Sequence, residues 1–232
     1  IIMYQTSSND GNRKENMEAE LHYDRNFKSI HQIGATLKYS QSEEAQTQNV
    51  GGDIMRAISQ RNQGLSGRLT YGLLGRYFAE FNFGYTGSEN FSHGNQFGFF
   101  PAVSCGWNIA EEKFMKKHIP WIDMFKIRYS YGEVGNDRVG PPNNPVRFPY
   151  LTNFGDYNEW SYGDFGNENK YSGYHYSQVA SPGLSWEIAK KHNLGLDVSV
   201  LNGKFSLTVD FFKDTREEIF LRREYLPQII GL

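Results

Sequence analysis

Along most of the chain apolar residues fall on every second position, the period of a β-strand with one greasy face and one wet face. Ala19, Leu21 and Tyr23 alternate with Glu20, His22 and Asp24, predicting a first strand over Glu18–Asp24. The second, Ser29–Ser40, sets Ile33, Ala35, Leu37 and Tyr39 against Gln32, Gly34, Thr36 and Lys38. The same alternation predicts strands over Gln63–Tyr71, Tyr77–Thr86, Phe99–Ala110 and Asp123–Glu133, with Phe81, Phe83, Val103, Trp107, Ile127 and Tyr129 on their apolar faces. The last two predicted strands, Leu184–Val200 and Lys204–Phe220, flank Asn202-Gly203.

Asn-Gly between two alternating runs specifies a tight type I′ hairpin, because both central residues must take positive φ and these two tolerate it best. A two-residue loop also sets the register. Val200 then faces Phe205, Val198 faces Leu207, Leu196 faces Val209 and Leu194 faces Phe211, all apolar pairs. The other side collects Ser199 with Ser206, Asp197 with Thr208 and Gly195 with Asp210. One register thus sorts both strands into an apolar and a polar face. Runs this long exceed the usual strand of about 5–6 residues. They suit a wall between lipid and water, or a long ribbon over the core of a soluble sandwich.

The connections separate these two readings. The turns at Arg25–Lys28, Gly72–Gly75 and Asn202-Gly203 are short, and Glu111–Trp121 reads as a helical turn. Gln41–Asn62, Gly87–Gln96 and Val134–Ser181 are longer and lack periodicity. Short and long connections alternate, so in an up-and-down meander they collect at opposite rims, the pattern of an outer-membrane barrel. A Greek-key sandwich would scramble them. The fold expected is therefore all-β, an antiparallel up-and-down transmembrane β-barrel. Eight strands can close, but both termini read as cut from longer loops, so an open section of a larger barrel is expected.

Composition adds bounds. The 232 residues include 15 Tyr and 17 Phe, yet only 38% are hydrophobic. No apolar run approaches the ~18 residues of a spanning helix. A net charge of −2 with interspersed signs gives no electrostatic case for nucleic acid. The single Cys105 excludes an internal disulfide framework, and its place in line with Val103 and Trp107 makes it an inert apolar-face residue. Ile1-Ile2-Met3-Tyr4 carries no signal-peptide pattern, so an internal piece is expected.

Several stretches resemble the SusC/RagA class of TonB-dependent outer-membrane transporters of Bacteroidetes. They are Gly67-Arg68-Leu69-Thr70-Tyr71 with Arg76-Tyr77, Gly98-Phe99-Phe100-Pro101-Ala102-Val103-Ser104 with Gly106-Trp107, and Glu111-Glu112-Lys113-Phe114-Met115. Phe125–Gly132 with Gly135-Asn136, and Ser181-Pro182-Gly183-Leu184-Ser185-Trp186-Glu187 running on to Asn193–Asp197, complete the set. The resemblance implies that residues 1–232 are a segment, roughly a third, of one barrel of about 22 strands. It also implies a long extracellular loop over 134–181, a plug acting through TonB, a SusD-like surface lipoprotein as lid, and import of oligosaccharides or peptides across the outer membrane, with lipid around the wall. The alternative is a soluble β-rich carbohydrate-binding module.

No catalytic constellation is present, so an enzyme is not expected. Gly64-Leu65-Ser66-Gly67 is no nucleophile elbow, the six His lack metal spacing, and no cofactor motif is found. Glu111-Glu112 reads as a solvated turn, and Asn90-Phe91-Ser92 fits a glycosylation acceptor, a motif common by chance. Arg68, Lys126 and Arg128 share polar faces with Glu80, Asp197 and Asp210 and read as a lumenal charge ladder. The stretch Tyr150–Tyr176 differs, because it interleaves aromatics with Asp, Glu and Asn. Its Tyr157, Trp160, Tyr162, Tyr171 and Tyr174 are the candidate substrate-binding residues, since a sugar or peptide needs an apolar platform with directed hydrogen bonds. The same rings could instead pack the loop on itself or against a lid.

Overall fold

The computed structural model describes residues 11–28, 30–46, 58–119, 121–140, 145–163 and 169–221, and for residues 46 and 157–159 the backbone alone. Eight strands form one open antiparallel sheet: β1 (Asn12–Phe27), β2 (His31–Gln46), β3 (Gln60–Leu73), β4 (Tyr77–Ser88), β5 (Phe97–Asn108), β6 (Ile122–Asn136), β9 (Glu187–Val200) and β10 (Phe205–Glu217). A 3-10 turn (Ile109–Glu111) and the short helix α1 (Lys113–His118) lie between β5 and β6. Between β6 and β9, β7 (Asn153–Tyr162) and β8 (Asn169–Gln178) pair as a separate hairpin.

The eight expected strands are all present in meander order, with β1 and β10 at the edges. The final hairpin has the register that Asn202-Gly203 demands, with Val200 opposite Phe205 and Leu194 opposite Phe211. Asn202 and Gly203 both have positive φ, 57° and 76°. Leu201 also does, at 59°, an unfavourable conformation for a branched side chain. Its N–H donates to the Trp121 carbonyl at 3.1 Å, and the Gly203 N–H donates to Asp123 Oδ2 at 3.0 Å, which holds the turn in place.

Two expectations need correction. Some strands run further towards the long connections than alternation indicated, since β1 spans Asn12–Phe27 rather than Glu18–Asp24 and β2 continues to Gln46, whereas β9 begins at Glu187 rather than Leu184 and β10 ends at Glu217 rather than Phe220. Those added stretches are polar on both faces, so hydropathy stops alternating while the backbone ladder continues. Second, the aperiodic stretch 134–181 contains β7 and β8. A bulge between Tyr157 and Glu159 shifts their register and breaks the period of two.

The short connections gather at one rim and are laced to one another. Leu74 N–H donates to the Ile30 carbonyl at 2.8 Å, Asn108 N–H to Arg76 at 2.7 Å, and Leu201 N–H to Trp121. Burial is just as uneven. The buried apolar side chains are Phe91, Val139, Phe148 and Trp186 near the long connections and Ile109, Ala110 and Met115 near the short ones. None lies on the apolar face of the sheet between the rims. Among the described residues no second layer covers that face: Phe81 is 40% and Leu207 60% exposed.

Candidate functional site

The uncovered face is the first functional surface. Rungs of paired residues run across the strands, one joining Tyr23, Ala35, Leu69, Phe81, Val103 and Tyr131. Cys105 stands on this face between Ala79 and Tyr129, as expected. Aromatic stacks border the band on both sides. His31–Tyr71 and Tyr77–Trp107 lie towards the short turns, with ring centroids 6.0 and 6.2 Å apart. Tyr85–Phe97, at 5.1 Å, lies towards the long ones, and Tyr129 donates to or accepts from His192 Nδ1 at 2.9 Å. Beyond that girdle, Lys190 pairs with Glu217 at 2.6 Å, and polar side chains take over. From Tyr77 to Tyr85 a strand rises about 27 Å along its axis. Tilted by about 40°, it spans about 20 Å, near the height of a lipid-facing band.

The opposite face is wet and charge-paired. Arg68 meets Glu80 at 3.0 Å, while Arg128 bridges Asp197 at 3.0 Å and Asp210 at 2.8 Å. Arg128 packs over Gly195, where a Cβ would fall 2.6 Å from the guanidinium carbon, so a larger residue there would displace the arginine. Lys126 Nζ lies 5.0 Å from the centre of the Phe78 ring. The charge-ladder reading therefore holds for Arg68 and Arg128. These strands line a concavity of about 660 Å³ whose walls include Asp24, Thr70, Glu80, Lys126 and Arg128. Among the described residues no three His, Cys, Asp or Glu side chains converge as an ion site.

Glu112 is not the solvated residue that its doublet suggested. Tyr77 donates its hydroxyl to Oε1 at 2.8 Å, Trp107 Nε1 donates at 3.4 Å, and Arg76 pairs with Oε2 at 3.3 Å. Glu111 diverges to Lys116 at 2.5 Å. The Tyr77 hydrogen bond, with smaller help from Trp107 and Arg76 against desolvation, holds the Glu112 carboxyl below its ordinary value of 4.5. A depressed carboxylate stabilises the fold above its unfolded pKa, and that contribution vanishes as pH falls through the folded one. Acidification below about pH 4.5 is thus expected to loosen the short-turn rim. In Glu112→Gln this acid-dependent step should be gone, as read by hydrogen exchange of residues 74–77 and 109–118 against pH.

At the opposite rim the loops close over a small apolar core of Phe91, Val139 and Trp186, joined by Phe100, Val146 and Leu184. Phe91 is 1% exposed, the most buried large side chain described. Ser92 donates to the Pro182 carbonyl at 2.7 Å, Asn95 to Leu184 at 3.3 Å and Trp186 Nε1 to Gln96 at 3.2 Å. Asn90, read as a possible glycosylation acceptor, instead donates Nδ2 to the Asp137 carbonyl at 3.1 Å. This core is not legible in the sequence, where Ser181–Glu187 stands out only as a motif.

The hairpin rises from that core. Gln178 Nε2 donates to the carbonyls of Phe148 and Leu151 at 2.8 and 2.9 Å, clamping its base. Four of the candidate residues can be placed by side chain. Trp160 pairs directly with Tyr171, and Tyr162 lies two residues further along the same side. Tyr174 sits opposite Asp156 on the other side, with Phe154 and Tyr176. Tyr157 is described by its backbone alone, opposite Gly173. Trp160, Tyr162, Tyr171 and Tyr174 are 71, 81, 60 and 74% exposed, so they do not pack the loop on itself.

No protein-family model matches the chain. It is 30% identical over 166 residues, 72% of the chain, to TonB-dependent receptor P3 of Formosa agariphila. Over 150 residues, 64% of the chain, it is 33% identical to TonB-dependent receptor SusC of Bacteroides thetaiotaomicron. The chain covers only 15% and 14% of the lengths of these relatives. Among solved structures, the RagAB peptide importer in the 'closed-closed' state superposes with a TM-score of 0.71 over 96% of the chain and 25% of that chain, at 18% identity. The RagAB peptide transporter gives 0.70 over 96% of the chain and 26% of that chain, at 19% identity.

With a lipid-height belt, a paired polar face and these relatives, the chain is part of the outer-membrane β-barrel wall of a TonB-dependent receptor. Within that class it is SusC/RagA-like. Its relatives are receptors and importers rather than enzymes.

Proposed function

We propose that this chain forms part of the wall of an outer-membrane importer of oligosaccharides or peptides. The uncovered apolar belt bordered by aromatic stacks carries the reading, since a lipid surround removes such a belt from water. A SusD-like surface lipoprotein as lid, and energy relayed from TonB through a plug, follow from similarity to SusC and the RagAB importer. In this reading 134–181 is an extracellular loop within a single barrel domain. The wall holds its loops around the substrate and performs no bond chemistry.

The substrate contacts in this reading are the rings of β7 and β8, with Trp160, Tyr162 and Tyr171 as one platform. Stacked rings of this kind contribute about 1 kcal/mol each beyond the area they bury. Trp160→Ala with Tyr171→Ala should therefore raise the half-saturating substrate concentration about 30-fold, leaving saturated uptake unchanged. Uptake assays with glycan and peptide mixtures, scored on cells with equal surface receptor, measure this. Unaltered affinity in the double variant would reject the platform.

A further inference from the structure

The short-turn rim carries an exposed surface apart from the belt, the charge-paired face and the β7–β8 hairpin. Glu112, at the start of α1, is held by Tyr77 and Trp107, whose rings stand on the lipid-facing side at the lower edge of the belt. Those contacts hang α1 on the outside of the wall, beneath the aromatic stacks. Met115 turns inward and is buried. Lys113 and Lys117 stand one turn apart and exposed, with Phe114 beside them at 54% exposure, and Trp121 follows at 56%. The tips of the neighbouring turns add Leu74 and Leu201, which are also exposed.

The charges here are of two kinds. Arg76 is engaged by Glu112 and Lys116 by Glu111. Lys28, Lys113, Lys117 and Lys204 have no ion pair among the described residues. Exposed aromatic side chains beside unpaired lysines, continuous with a lipid belt, fit an interfacial helix, which sinks rings at the acyl boundary and places ammonium groups among phosphates.

We propose that α1 and Trp121 form a membrane-interface anchor whose Lys113 and Lys117 bind the phosphates of anionic phospholipid headgroups in the leaflet on the short-turn side. Phe114 and Trp121 insert at the level of the Tyr77–Trp107 stack, and Glu112 is a positioning residue that sets the helix at that depth. The anchor rests on the membrane reading of the belt, not on the import reading.

The test uses the full receptor carrying Cys105→Ser, reconstituted in phosphatidylethanolamine vesicles with or without phosphatidylglycerol. A bimane label is attached at His118→Cys. A nitroxide on the phosphatidylglycerol headgroup should quench it more strongly than the same nitroxide on phosphatidylethanolamine. That preference should fall about fivefold for each of Lys113→Gln and Lys117→Gln, and fade in high salt. A second label, at Val103→Cys, reads the belt through a nitroxide deep in the acyl chains and reports assembly of every variant. Loss of quenching at 103 would bring down the membrane reading itself. Normal quenching at 103, with the 118 label open to aqueous iodide and indifferent to both lipids, would overturn the anchor alone. Shielding of the 118 label only when a soluble protein is added would overturn it as well.

Discussion

Val103→Arg should sharply reduce the assembled fraction of the receptor, whereas Ser104→Arg, one residue along, should be tolerated. Val103 lies within the belt between Phe81 and Tyr131, where an arginine near the bilayer midplane costs about 2–4 kcal/mol. Ser104 points to the wet face opposite Glu80 and Ser130, where a guanidinium finds a carboxylate and water. Substitutions at such solvated sites stay within about 0.5 kcal/mol. Heat-modifiable mobility and urea unfolding in lipid would compare the two. Equal losses would mean that the faces have been assigned wrongly, because nothing but the period of two separates these neighbours.

Phe91→Ala should be the most damaging substitution outside the belt. Emptying a fully enclosed aromatic site costs about 3–5 kcal/mol. The ring lies 5.3 Å from that of Trp186 and closes the core from which the hairpin rises. The damage should be local. Limited proteolysis within 137–186 is expected to accelerate while the belt keeps its resistance to urea. Trp186→Phe, which retains a ring but loses the hydrogen bond to Gln96, should cost about 1 kcal/mol from that bond. A Phe91→Ala protein with unchanged loop proteolysis would show that the core does not hold the loops.

What could be read from the residues alone was whatever repeats with period two or sits in a two-residue turn. The β9–β10 register follows from Asn202-Gly203, and the face of every long strand follows from its alternating apolar residues, odd-numbered in β1–β6 and β10 and even-numbered in β9. The charge pairs of Arg68 and Arg128 were legible for the same reason, since partners share a face. Features that depend on distant contacts were not. Glu112 takes its partners Arg76 and Tyr77 from 36 and 35 residues away, and nothing local distinguishes it from Glu111. Phe91 is a lone ring in a polar loop until segments 181–187 and 137–139 come to it. The hairpin β7–β8 was hidden because its bulge rephases one strand and because aromatics occupy both sides.

The lacing of the short turns has a mechanical consequence. Bonds such as Ile30 to Leu74, Arg76 to Asn108 and Trp121 to Leu201 join separate turns around the circumference, across the direction of the strands. Along this arc they act as part of a hoop: neighbouring turns cannot spread apart without rupturing backbone bonds. The far mouth is joined by longer spans cinched around a small apolar knot. Spreading neighbouring turns in this section of wall would therefore break these bonds as well as the strand ladders, which run on to the far rim.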